Sequence, residues 1–387
     1  LGTIGTQFEF LNPLEEAFSD FELTDIMFSQ MRSKDDIIAD TNVVLVNIGI
    51  LKRADIAKQI AVLNQYKPAV IGLDAFFRKP QDELGDSLLV QAIREARNVV
   101  LVSKLNKYNP ARKDYDTLET SHPIFNRFAT TGFSNFISDG KANQLHTCRS
   151  FSKIETVRGK NEISFPVLVA SRYDSKKAAN FLSRRNNVEE INFRRDRGYY
   201  YNLDWHQVLN PEYDLSFIKG KIVLMGYMGV RFDENYRSYE DKFYTPLNEK
   251  YAGKANPDMF GVVAHANIIS MILEQKFIEK LPNWLTFVIG LVICYSNVVL
   301  FYYIKQKYNT WYDAITKIIQ LAETIVIIFL ILKIFEDFSI KINLEIGLVA
   351  ILLSGDLVEF YIGGVENTIR SVKEQIAKSK LKTPKTK

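Results

Sequence analysis

The sequence predicts an α/β domain, a largely parallel sheet flanked by helices and held outside the cytoplasm, followed by a three-helix transmembrane bundle. Three observations predict it. The last third carries long apolar stretches at 284–304, about 318–335 and about 344–362, the first without a charge. Each is close to the ~20 residues a helix needs to cross ~30 Å of hydrocarbon. Ahead of them, short β-branched runs alternate with segments of helical spacing, the pattern of a parallel sheet with helices packed on it. The connections also differ in charge, which orients the whole.

Between the first two spans lie Lys305, Lys307 and Lys317 against Asp313, whereas the second gap mixes Lys333 and Lys341 with Glu336, Asp337 and Glu345. Beyond the third span, the tail from Gly363 to Lys387 holds seven basic residues and two acidic ones, +5 against a whole-chain charge of +4. Basic residues stay on the cytoplasmic side. The first connection and the tail are therefore expected inside, and the second connection and residues 1–281 outside. Trp284, Tyr302, Tyr303, Trp311 and Tyr312 lie near span ends, where amphipathic rings favour the headgroup level. The domains expected are 1–281 outside, 282–362 in the membrane and 363–387 as a basic cytoplasmic tail.

Along the outer domain, Thr24 to Arg32 has the spacing of an amphipathic piece, after a helix leaving the membrane. Val43 to Ile48 reads as a strand buried on both faces, and Lys52 to Tyr66 as a helix with Ile56, Ile60 and Leu63 inward. Pro68 stops it; 69–74 is a second strand, 86–96 a helix and 99–102 a third strand. Residues 104–131 read as polar and irregular. Gly132 to Phe136 and Arg149 to Arg158 read as a hairpin with its turn near Asp139-Gly140. A helix over 165–173 has Pro166 in its first turn. Lys221 to Gly226 is another buried strand, and a helix from Met259 to about Phe277 leads through Pro282 into the membrane.

Outside the tail the net charge is close to neutral, which excludes a broad basic face for nucleic acid. The two cysteines, Cys148 and Cys294, fall in the outer domain and the first span, so no disulfide joins them. The four histidines are scattered, with no metal or cofactor spacing, and no Ser, His and acid stand in a nucleophile context. The expectation is a non-enzyme with no metal and no cofactor. The chain starts at Leu1, and a signal peptide or, better, an N-terminal membrane anchor is expected ahead of it.

Three stretches together resemble the CHASE type 2 family of extracellular sensor domains. They are Val43 to Ile48 with Pro68 to Phe77, Leu215 to Gly226 with Asp241 to Pro246, and Gly261 to Ile269 with Phe277-Ile278 and Pro282 to Trp284. The resemblance covers residue 20 to the last span. It implies a bacterial receptor-like domain outside the inner membrane, anchored by an N-terminal helix, with three spans leading to a cytoplasmic output module. The 25 residues after Ile362 are too few for a kinase or cyclase core, so a signal is expected to leave through a partner.

Parallel sheets place ligands beyond the carboxyl ends of their strands. The candidate ligand contacts are accordingly Asn47, Asp74, Ser103 and Gly226. Asp74 is also read as a turn residue bonding backbone amides, and that reading is preferred. His265 is read as a packed, satisfied histidine rather than a pH sensor. The Arg184-Arg185 and Arg194-Arg195 pairs are read as a solvated surface in preference to an anion site. In the membrane, Asp356 and Glu359 in the third span and Glu323 in the second are candidate partner contacts, because ionisable groups in a span face a bundle interior or another protein; for Asp356 a carboxylate near the cytoplasmic interface, reaching water past Gly355 and Ser354, is the preferred reading. The leading reading is a sensor-like inner-membrane protein that relays to a protein partner through its helices, its outer domain or its tail; a homo-oligomer stays open. The alternative is a non-enzymatic scaffold or accessory subunit of a cell-envelope complex.

Overall fold

Strand β1, Asp40–Asn47, is apolar from Val43 to Val46 because both of its faces are covered; Val43, Val44, Leu45 and Val46 are fully buried. The computed structural model describes residues 22–31, 37–137, 147–232, 241–248, 256–342, 345–366, 368–369 and 371–373. The chain forms two compact units, Leu1–Ile278 and Glu279–Lys387.

In the first unit β1 is followed by α1 (Arg53–Gln65), β2 (Val70–Asp74), α2 (Glu83–Ala96) and β3 (Val99–Asn109). Helix α2 starts three residues before the sequence suggests, because the Asp82 side chain caps it by accepting from the Gly85 N–H at 2.6 Å. Then come β4 (Asp114–Thr120), α3 (Pro123–Asn126), β5 (Thr130–Phe133), β6 (Ser150–Ser152), β7 (Ile154–Val157), β8 (Lys160–Ile163), α4 (Phe165–Tyr173), α5 (Ser175–Leu182), β9 (Val188–Glu190), β10 (Tyr200–Leu203), α6 (Trp205–Leu209), β11 (Ile222–Gly226), β12 (Lys242–Phe243), β13 (Met259–Phe260) and α7 (Gly261–Glu274).

The central sheet runs β10-β1-β11-β2-β3 in parallel. Val44, Val46, Ile71, Leu73, Val223 and Met225 pack on Ile56, Ile60 and Leu63 of α1 and on Leu89 and Ile93 of α2. The opposite face meets α4 and α7: a Cβ on Gly72 would lie 3.0 Å from the Phe165 ring and from Val169. Burying each such aliphatic side chain is worth about 1.5–3 kcal/mol. Between the two helices on the first face, Arg53 forms a buried ion pair with Asp86.

Residues 104–131 are not irregular. Strand β3 runs on to Asn109 and pairs antiparallel with β4, from Ser103↔Thr120 to Asn109↔Asp114. The turn is set by Asn109, whose Oδ1 accepts from the Ala111 N–H at 3.0 Å, and by Lys113 at φ 55°. Nor do 132–136 and 149–158 form one hairpin. Strand β5 pairs parallel with β3, β6 pairs with β9, and β7 turns through Arg158 and Gly159 into β8. Among the described residues one antiparallel bridge, Ile137↔Ser150, links the end of the first stretch to the second, and Asp139-Gly140 lies outside the described residues. The reason is Gly132: a Cβ there would fall 2.8 Å from the Phe165 Cα, so β5 lies against α4. Near the start, Thr24 to Met31 is helical with Met27 and Phe28 buried, as the amphipathic spacing suggests; residues 1–21 lie outside the described residues.

The second unit holds α8 (Asn283–Lys307), α9 (Tyr312–Phe338) and α10 (Glu345–Phe360), the last continued by a wider helical turn, Tyr361–Glu366. Segments Asn283–Lys307, Asn309–Phe338 and Gly347–Val365 are long and apolar enough to cross a membrane. Before α8, β14 (Glu279–Lys280) pairs parallel with β15 (Ile340–Lys341), which follows α9. Glu279 N–H donates to the Ser339 carbonyl and Leu281 N–H to that of Lys341, both at 2.9 Å.

Candidate functional site

The loop leaving β11 is built by Asn47. Its Nδ2 donates to Asp204 Oδ1 at 2.8 Å and to the Gly229 carbonyl at 3.0 Å, while its Oδ1 accepts from the N–H groups of Met228, at 2.9 Å, and Gly49, at 3.0 Å. Asn47 is fully buried, and its amide has no capacity left for a ligand. Asp204, the N-cap of α6, accepts from the Phe232 N–H at 2.9 Å with its second oxygen. The run Met228 to Phe232 is thereby fixed to the ends of β1 and β10.

That run forms one wall of an open cleft of about 680 Å³, whose other walls come from residues 194–199, β12, β13 and the first turn of α7. Among the described residues four cations line it: Arg194, Arg197, Arg231 and Lys242. Arg194 is held by Asn267 of α7, whose Oδ1 accepts from the N–H groups of Arg194, at 3.0 Å, and Arg195, at 3.1 Å. Its neighbour Arg195 turns the other way and pairs with Glu274 at 2.6 Å. The Arg197 guanidinium lies 4.1 Å from the Phe232 ring centre and the Lys242 ammonium 4.7 Å from that of Phe260. Arg194, Arg197 and Lys242 form no ion pair with the described residues, and the buried Arg194 Nε has no hydrogen-bond partner. Among the described residues two acids line the cleft, and both accept hydrogen bonds from neutral groups. Asp258 accepts from Thr245 N–H and Oγ1 at 2.8 and 2.5 Å, and Asp196 from the Gly198 N–H at 2.7 Å. Burial, then the nearby Arg197 charge, holds the Lys242 ammonium below the usual lysine range.

Asn47, Gly226 and Asp74 are register partners at the carboxyl ends of adjacent strands, with Ser103 two residues past the partner of Leu73 on β3, but none of the four lines the cleft. Asn47 positions the cleft loop without lining it. Gly226 permits close packing, since a Cβ there would lie 2.8 Å from Val262 Cβ. Ser103 is interior to the longer β3, buried, with an Oγ that has no partner. Asp74 is half-buried at the end of β2 and makes no hydrogen bond with the described residues, so the turn reading does not hold for it. Burial, and then the charge of Asp241, push its carboxyl up to about 7; burial pushes Asp241 up to about 6. His265 is buried and packed as expected, stacked on Phe136 at 4.6 Å, but its Nδ1 is unsatisfied and burial lowers it to about 3. Of the arginine pairs, Arg184 meets Glu189 at 3.0 Å and lies over Phe277, whereas Arg194 reaches the cleft. Arg197, Phe232 and Lys242 had no local signal in the sequence.

In the second unit, Glu323 accepts from Asn297 Nδ2 of α8 at 2.7 Å, and Glu359 pairs with Lys305 at 3.2 Å. Asp356 lies one turn from Glu359 on the exposed side of α10, beside Leu352, Leu353 and Phe360. Tyr312 and Gln320 of α9 tie the other side of α10 through the carbonyls of Gly355 and Ile351, at 3.2 and 2.9 Å.

A family model described as CHASE2 domain matches residues 2–300. Comparison with curated proteins and with solved structures gives no match.

Proposed function

The chain belongs to the CHASE2 domain family, and from that premise we propose that its first unit sits on the periplasmic side of a bacterial inner membrane, takes a ligand in the cleft beside β11, and relays occupancy through α8–α10 to a protein partner. CHASE2 is an extracellular sensory domain rather than a catalytic one, and with three membrane-capable helices behind it the chain is a membrane sensor-like protein. The observation that carries the relay is the shortness of the join: α7 ends at Glu274 and α8 opens at Asn283. A change in how α7 is held has only that segment to pass through along the chain.

The charges support the orientation. Lys333, in the last turns of α9, pairs with Glu336 and Asp337, each at 3.0 Å, and with Lys341 and Glu345 counted the connection carries no basic excess. A partner in the membrane suits the exposed Asp356, whose carboxylate is costly to leave facing lipid. Labelling with a membrane-impermeant maleimide tests the orientation. Lys58→Cys, on the exposed side of α1, should react in intact spheroplasts, and Lys373→Cys only after permeabilisation. The reverse pattern would sink the periplasmic assignment. Copurification of a partner with the full chain, unchanged by filling the cleft through Val263→Trp, would favour a scaffold over a sensor.

A further inference from the structure

We propose that the cleft binds a small organic anion, a carboxylate or phosphate on a body of metabolite size, gripped by Arg194, Arg197 and Lys242 between Phe232 and Phe260. This inference rests on reading the domain as a ligand sensor and names the ligand's chemical class.

The contrast with the rest of the domain carries it. Elsewhere the buried or half-buried arginines are matched by acids: Arg53 by Asp86, Arg149 by Asp25, Arg184 by Glu189, Arg195 by Glu274. In the cleft three cations have no ion-pair partner among the described residues, although removing charge from water is expensive unless a counter-charge arrives. The lining acids Asp258 and Asp196 accept from Thr245 and Gly198 and lie within Coulomb range of Lys242 and Arg197 without forming ion pairs with them. Arg194 Nε is a donor already out of water and without an acceptor. The rings of Phe232 and Phe260 hold Arg197 and Lys242 in place, which lowers the ordering cost of closing on an anion. At about 680 Å³ the space suits a metabolite rather than an ion alone.

The full chain in maltoside micelles, at constant ionic strength, should show a saturable rise in melting temperature with at least one of phosphate, acetate, benzoate or citrate. Arg194→Gln and Lys242→Gln should each weaken that binding tenfold or more, while Arg194→Lys, which keeps the charge, weakens it less and controls for folding. Stabilisation by phosphatidylglycerol and not phosphatidylcholine in mixed micelles, lost in the same variants, would assign the same anion chemistry to a lipid headgroup. Equal affinity in the charge-removed variants would overturn the proposal. Uncharged sugars and amides run alongside separate the two readings. Saturation by a neutral compound, insensitive to the charge substitutions, leaves a sensor but not an anion sensor; no binding in either class removes both.

Discussion

Asn47 reaches from the end of β1 to Asp204, the cap of α6, and the 2.8 Å bond between them is one of four that its amide makes. Removing it strands two N–H groups and the Gly229 carbonyl, and leaves Asp204 Oδ1 with the Trp205 N–H as its remaining donor. Asn47→Ala should cost about 3 kcal/mol, read as a lowered midpoint in urea unfolding of the full chain. An unchanged midpoint would mean that water replaces the side chain and that the Met228 to Phe232 run is held by other contacts.

The Asp74 carboxyl, raised to about 7 from an ordinary 3.8, stays protonated in the folded domain where the unfolded chain has lost its proton. Its contribution is therefore complete below about pH 3.8 and lost as pH rises through about 7. Asp74→Asn should stabilise the chain by about 2 kcal/mol at pH 8 and leave it unchanged at pH 4. Equal gains at both values would show that the substitution acts through packing and not through charge.

His265 has the opposite sign. It is lowered to about 3 from 6.5, so protons bind the unfolded chain first, and stability present above pH 6.5 is lost as pH falls toward 3. His265→Phe keeps the stacking on Phe136 and removes a ring nitrogen that has no partner. The variant should be about 1 kcal/mol more stable at neutral pH, with a larger advantage at pH 5, by thermal melts at both values. A variant less stable than the wild type at pH 5 would indicate that a proton or a water is held at Nδ1.

Asp356→Leu should leave the monomer's melting temperature within about 2 °C of wild type, since Asp356 makes no hydrogen bond or ion pair with the described residues. It should also reduce recovery of a membrane partner, or of a second copy, in mild-detergent purification at least several-fold. Full recovery would place the contact elsewhere on the chain.

The sheet was legible wherever burial is two-sided. Val43 to Val46 and Ile222 to Met225 are continuous apolar runs because helices cover both faces. Strand β4 was not, for Asp114 to Thr120 is almost wholly polar and owes its extended form to pairing with the far half of β3. The site was legible only in fragments. Arg194-Arg195 stood out as a pair, but which arginine faces the cleft is decided by Asn267 and Glu274, more than seventy residues away. The Arg197 and Lys242 charges come together only when β12 pairs with β13 beside the loop from β11. The membrane helices were the most legible, since length and hydropathy alone define them.

The small pairing of Glu279–Lys280 with Ile340–Lys341 ties the residues that lead into α8 to those that leave α9. The two helices therefore cannot slide past each other like separate pistons at that end. A force arriving along the backbone at Glu279 loads both at once. The third helix, α10, is tied to both of them toward its far end, by Tyr312 and Gln320 of α9 and by Lys305 of α8.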